Sequence, residues 1–335
     1  MSIFPVKKKV IVTWVYLLVM ALFSLGLDLT VFAQSATGLN ERLGFNPTDK
    51  LLIIHADDIG LSHSENRATL KAMTEGLVNS TSIMMPCAWA TEVGTYIQNH
   101  PNLDVGVHLT LTNEWFNYKW GPVASKSNVP GLVDEEGFMF ADCASVARHA
   151  TPEEVEAELR AQIDAAIKLG IKPTHLDSHM GCLFFGRPEY FMSYLKLGRE
   201  YGIPSMVSPQ ILDVFKQLHP DYFNKLDLSK QLIIDQISIA TPEEYDEKGM
   251  EGFYSELLEN LNPGVTALLI HVAYDDPEMQ AITVNHPHWH AAWRQADFDF
   301  FTSDKARKLI LDNEIKLITW REIGSLLEQK SIPKK

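Results

Sequence analysis

The run "LLIIHADDIGLSHSENRATL", residues 51–70, closes an apolar stretch with two adjacent acids, Asp57 and Asp58, and then Gly60. The four aliphatic residues at 51–54 read as a strand buried on both faces, as in parallel sheets. Aspartate is a poor strand former, and neighbouring anions repel one another. A solvated turn tolerates such a pair. A functional site uses it differently: one acid binds a cation and the other handles a proton. In a regular strand, neighbouring side chains point to opposite faces. The two acids therefore share a site only if the strand has ended or bent there, and Gly60 offers a bend.

Outward from this run, strand-like and helix-like stretches alternate. Helical patterns cover 64–75, 151–169, 190–201, 303–313 and 320–329, and strand patterns cover 77–85, 103–112, 173–177, 265–271 and 316–320. The clearest helix has Thr151 as N-cap, Pro152 at its first position, Glu154 completing a capping box, and Gly170 at its end. This alternation predicts an α/β fold with mainly parallel strands. Residues 113–150 are rich in Trp, Gly and Pro and lack periodicity. They read as a loop insertion of the kind that shapes a site at a barrel mouth.

The first 33 residues carry Lys7, Lys8 and Lys9, then an apolar run, then Val31, Phe32 and Ala33. That is the layout of a signal peptide cleaved before Gln34. The expected organisation is a signal peptide at 1–33, a polar leader at 34–49, and a single catalytic domain over 50–330. The protein is expected to be exported, periplasmic or extracellular, with no stable membrane contact after cleavage; an N-terminal membrane anchor is the alternative. The chain of 335 residues carries a net charge of −14, and losing residues 1–33 removes three lysines and one aspartate. So acidic a protein disfavours nucleic acid and anionic membranes as partners. Cys87, Cys143 and Cys182 follow no zinc-ribbon spacing and allow at most one bridge.

Polar groups fall at the carboxyl ends of the expected strands. Asp57 and Asp58 follow the first; His108 lies in "GVHLTL"; His175, Asp177 and His179 lie in "THLDSH"; His271, Asp275 and Asp276 lie in "LLIHVAYDD". Parallel α/β folds bind ligands at that end of the sheet.

The segments "HADDIGLSHSENRATLKAMTEGLVNSTSIM", "VGVHLTLT" and "PTHLDSHMG" resemble the successive motifs of the YdjC-like carbohydrate deacetylases, the family of the chitooligosaccharide deacetylases. The resemblance runs in order over most of the chain after residue 50. It implies a distorted, TIM-like β/α barrel of the polysaccharide deacetylase type, one divalent metal ion, and removal of acetyl groups from N-acetylated sugars or oligosaccharides. By position it implies Asp58, His108 and His179 as metal ligands, Asp57 as catalytic base and His271 as general acid. Met180, Gly181 and Cys182 stand where many relatives have further histidines. That favours His179 as the ligand and suggests a subgroup with a different substrate.

The chemistry is coherent on its own terms. Two imidazoles and one carboxylate leave a divalent ion with open positions for water and substrate. A bound cation acidifies its water, and Asp57 takes the proton as that water attacks the acetyl carbonyl. Nitrogen-rich ligation suits Zn2+, and the resemblance also allows Mg2+. A phosphoesterase or other metal-dependent hydrolase on the same scaffold is the second reading. A non-catalytic sugar-binding protein is the third, and an intact base argues against it.

Among the remaining groups, His175 reads as core or as a support behind the site, and Asp177 as a partner that orients a histidine or the base. Arg294 and Asp297 read either as site residues, Arg294 pairing with Asp57, or as a surface ion pair. His286, His288 and His290 suggest a second metal or a substrate-contacting loop. Trp115, Trp120, Trp289 and Trp293 are expected sugar platforms or ordinary packing. His55 and His63, which flank the acid pair, read as structural or as supports behind the site residues.

Overall fold

Parallel strands build the sheet of the computed structural model, which describes residues 38–328. The expected signal segment at 1–33, the start of the leader at 34–37 and residues 329–330 lie outside the described residues. In chain order the strands are β1 (Lys50–Ile59), β2 (Ser80–Ile83), β3 (Val105–Leu109), β4 (Leu176–Ser178), β5 (Gln236–Ile239), β6 (Gly264–Ile270) and β7 (Ile315–Leu317). In space they run β4-β3-β2-β1-β6-β5, with β7 on β1. Every ladder is parallel.

β1 is the centre. β6 occupies one edge, while the other edge is shared by β7 at residues 50–52 and β2 from His55 onward. Leu51 and Ile53 enter one apolar cluster, and Leu52 and Ile54 enter the other. This is strand alternation with both faces buried, which explains the unbroken aliphatic run.

No ladder joins β4 to β5 among the described strands. Irregular backbone at 204–207 spans that side instead. Leu176 N donates to Pro204 O at 2.8 Å, Met206 N to Leu176 O at 2.8 Å, and Ile234 N to Val207 O at 3.0 Å. The result is the expected distorted β/α barrel.

The longer helices are α1 (His63–Glu75), α2 (Ala90–Asn99), α3 (Pro152–Lys168), α4 (Pro188–Tyr201), α5 (Pro209–Leu218), α6 (Pro242–Glu259), α7 (Ala291–Phe301), α8 (Asp304–Asp312) and α9 (Trp320–Glu328). The capping box at Thr151 and Glu154 forms, and Glu154 Oε1 also accepts Gly131 N at 2.7 Å. α6 opens with a second box, Thr241 with Glu244. The sequence reading passed over that box, together with α2, α5, α7 and β5.

In the stretch read as a polar leader, Leu39–Arg42 forms one helical turn; Leu39 enters the core and Asn40 Nδ2 donates to Asp49 O at 2.8 Å. Residues 113–150 are irregular apart from Pro130–Leu132 and Cys143–His149, yet Trp115, Trp120, Leu132, Met139 and Val146 are buried. Cys143 and Cys182 are bridged, which fastens this segment close to His179, and Cys87 is free and buried.

Candidate metal centre and active site

Asp58 has φ of +69°, and the β1–β2 register slips between Ala56 and Ile59. This bulge answers how adjacent acids share a site. A left-handed residue turns the strand, and Asp tolerates that conformation better than most residues. Thr81 Oγ1 holds the Ala56 carbonyl at 2.6 Å, and Asn66 Oδ1 holds Gly60 N at 2.7 Å, so the bend is braced on both sides.

Asp58 Oδ1 lies 3.3 Å from His108 Nε2 and 3.3 Å from His179 Nδ1, and those two nitrogens are 3.1 Å apart. Each histidine spends its other nitrogen on a carboxylate. His108 Nδ1 donates to Asp177 Oδ1 at 2.9 Å, and His179 Nε2 donates to Glu114 Oε2 at 3.0 Å. The inward nitrogens both face Asp58 Oδ1, which is buried and otherwise without a hydrogen-bond partner, so each is free to bind an ion once a cation displaces its proton. Ligands about 2.1 Å from one divalent ion stand ~3.0–3.4 Å apart, so this triangle fits such an ion.

Charge supports the same fit. Asp57, Asp58, Glu114 and Asp177 crowd the centre, against the positive charges of Arg294 and the His55 ring. Burial lowers His179, but Glu114 and Asp58 outweigh it and push it up to about 9. A positive charge is favoured at that nitrogen, and a metal ion supplies one as a proton does. Two further groups, His55 with His175 and Asp177, and Asp57 with His108 and Asp177, also lie close. They fit an ion less well, because His55 and Asp177 are already bonded to one another and to their neighbours.

His55, expected to be structural or a support beside the acid pair, touches the base. Its Nε2 lies 2.9 Å from Asp57 Oδ1 and 2.9 Å from Asp177 Oδ2. Its Nδ1 lies 2.9 Å from Ser80 Oγ, whose own proton goes to Asp104. Ser80 can then only accept, and both carboxylates can only accept, so both ring nitrogens carry protons. Burial depresses the imidazole, but Asp177 and Asp57 overcome it and push it up to about 9.

Arg294 is buried, as a site residue must be, but its partner differs from the expected Asp57. Nη2 meets Asp58 Oδ2 at 2.9 Å, and Nη1 meets both oxygens of Glu65 at 2.7 and 2.9 Å. Burial raises Asp58's carboxyl, but Arg294 and the two histidines hold it well below its usual range. Arg294 also donates from Nε to Trp289 O at 3.0 Å and lies over the Trp115 ring, 5.5 Å from its centroid.

His271 Nε2 is 3.9 Å from Asp57 Oδ2. Burial lowers its imidazole to about 4, so the ring is neutral at rest. Its backbone N–H donates to Asp297 Oδ2 at 2.9 Å, and Asp297, raised by burial to about 7, also accepts from Tyr254.

Other expected residues lie apart. Asp276 caps the helix Pro277–Ile282, and Asp275 binds Gln280. His286 binds the His288 carbonyl, His288 faces Asp246, and His290 caps α7, and the three do not converge into a metal cluster among the described residues. Trp115, Trp120 and Trp293 are 1%, 5% and 1% exposed; they are packing and not platforms. Trp289 is half-buried. His63 pairs with Glu92. Sequence reasoning missed Glu65 and Glu114.

A parallel β/α barrel with a buried acid–histidine centre at the carboxyl ends of its strands belongs to the class that binds ligands at that end. Within that class, residues 51–312 match the family described as YdjC-like protein, and the chain belongs to it. A protein named carbohydrate deacetylase from Thermus thermophilus is 34% identical over 290 residues, 86% of this chain and 99% of that protein. One of the same name from Brevibacillus brevis is 29% identical over 279 residues, 82% of this chain and 99% of the relative. A crystal structure from Enterococcus faecalis, provisionally described as a cellobiose-phosphate cleavage protein, superposes with a TM-score of 0.68 at 25% identity, covering 82% of this chain and 99% of that one.

Proposed function

We propose that this chain is a metal-dependent carbohydrate deacetylase that hydrolyses the acetamido group of an N-acetylated sugar or oligosaccharide. The observation that carries the reading is the convergence of Asp58 Oδ1, His108 Nε2 and His179 Nδ1 beside Asp57. The family and its relatives named carbohydrate deacetylase support a carbohydrate as the substrate class.

Asp58, His108 and His179 would hold a divalent cation, Zn2+ or Mg2+, which when bound supplies Lewis-acid polarisation of water and of the acetyl carbonyl. Asp57 works beside it. Its Oδ1 is pinned by His55, while Oδ2 faces His271 across 3.9 Å and takes the proton of the attacking water. Water oxygen bonds to the carbonyl carbon, the C–N bond breaks, and the amine leaves with a proton. His271 delivers that proton. Because its ring is neutral at rest, the proton arrives during the cycle, and Asp57 is the nearest carboxylate to supply it.

Export belongs to the same reading. The bridge between Cys143 and Cys182 suits an oxidising compartment, and the acidic surface suits a neutral sugar better than a polyanion. The experiment is acetate release from a panel of N-acetylated mono- and oligosaccharides, run beside phosphate release from sugar phosphates. Acetate from at least one sugar is expected; phosphate release alone would replace the reading with a phosphoesterase.

A further inference from the structure

Glu114 is the one carboxylate at the centre that comes from the irregular 113–150 segment instead of a strand end or helix. We propose that Glu114 is the positioning residue for the ligand His179, so that this segment is a working part of the metal centre. The inference rests on the reading that Asp58, His108 and His179 hold a divalent cation.

Glu114 Oε2 lies 3.0 Å from His179 Nε2, the ring nitrogen remote from Asp58. Accepting that proton leaves Nδ1 as the nitrogen turned toward the ion and stops the ring from swinging. Asp177 performs the same service for His108 from β4. His179 needs the restraint more. It opens a short turn, His179–Gly181, in which Met180 and Gly181 are left-handed in succession, at φ +53° and +68°. No extended ladder holds a side chain that leaves such a turn.

Glu114 is itself held in place. The Asn113 amide donates to Phe140 O at 2.8 Å, and the Asn113 carbonyl accepts Lys119 Nζ at 3.2 Å. On the other flank, buried Trp115 packs its ring against Arg294, which binds Asp58. Two adjacent residues thus serve two different ligands: Glu114 orients His179, and Trp115 backs the arginine that orients Asp58.

The test is direct titration of the metal-free protein with Zn2+, and separately with Co2+ to read the visible ligand-field spectrum, without substrate. Wild type, Glu114→Ala, Glu114→Gln and Asp58→Asn are compared, with exposed Glu135→Ala as control. Wild type and Glu135→Ala bind one ion. Glu114→Ala binds about 10–100-fold more weakly and its Co2+ spectrum shifts. Glu114→Gln, which keeps an acceptor but not the charge, falls between them and serves if the alanine variant does not fold. Zinc binding by a folded Glu114→Ala or Glu114→Gln variant within twofold of wild type, with an unchanged Co2+ spectrum, overturns the proposal. Wild type that binds no ion, or Asp58→Asn that binds like wild type, overturns the metal centre itself, whatever Glu114 does.

Discussion

His55 stands 2.9 Å from Asp57, with its second ring nitrogen 2.9 Å from a serine that has already given its proton away. An imidazolium locked between buried acids is therefore built into the strand that presents the base. It leaves one Asp57 oxygen restrained and the other facing His271.

Replacing that ring tests the link. His55→Gln lets Asp57 swing, and a misplacement of about 1 Å costs ~10²-fold in rate; kcat for acetate release is the readout. The same residue gives a pH signature. His55 is raised from 6.5 to about 9, so its pairing contributes fully below pH 6.5 and is lost as pH rises through about 9. The melting temperature of metal-free wild type is expected to drop across that window, and that of His55→Gln to drop less. Parallel curves for the two proteins would remove the imidazolium from the account.

Asp57 and Asp58 are adjacent but have separate duties. Asp57→Asn should lower acetate release about 10²–10⁴-fold, the range for loss of a general base, with Zn2+ affinity changed only a few-fold. Steady-state kinetics and calorimetric titration on the same preparation check both halves. Equal loss of binding and rate would make Asp57 a ligand instead.

Arg294 has no route to solvent and two acids to satisfy. Arg294→Met leaves Asp58 and Glu65 buried and uncompensated, a loss of about 3–5 kcal/mol by the usual behaviour of broken buried pairs. Urea unfolding measures it. A stability within about 1 kcal/mol of wild type would mean that the guanidinium is not needed to balance these acids.

Gly106 lies on β3, where a Cβ would clash with the His175 ring. His175 is fully buried between Trp320 and His55 and has nowhere to move. Gly106→Ala is expected to destabilise by about 1–3 kcal/mol, as overpacked cores do. Chemical denaturation gives the value, and no change would mean the ring yields.

The strand-end acids and histidines were legible because a buried parallel strand writes itself as an aliphatic run, and the residues just past its carboxyl end lie at the site. Helix α3 was legible because Thr151, Pro152, Glu154 and Gly170 punctuate it. The features that stayed hidden did so for physical reasons. Asp58 reaches its site through a left-handed bulge, which sequence allows but does not announce. Arg294 chooses Asp58 over Asp57 by approach direction, which no spacing encodes. Glu114 belongs to a segment without periodicity, so nothing in its neighbourhood pointed at His179. The tryptophans stayed open between sugar platform and packing because an aromatic ring suits both stacking and packing, and only burial separates the two.

The most direct measurement is acetate release from N-acetylglucosamine oligosaccharides by chelator-treated protein, before and after one equivalent of Zn2+ or Mg2+ is returned, with Asp58→Asn run alongside. The three-ligand centre requires that release stops on chelation, returns with one ion per chain, and does not return in Asp58→Asn. Acetate release that continues in the metal-stripped protein, or that Asp58→Asn sustains at the wild-type rate, would contradict it.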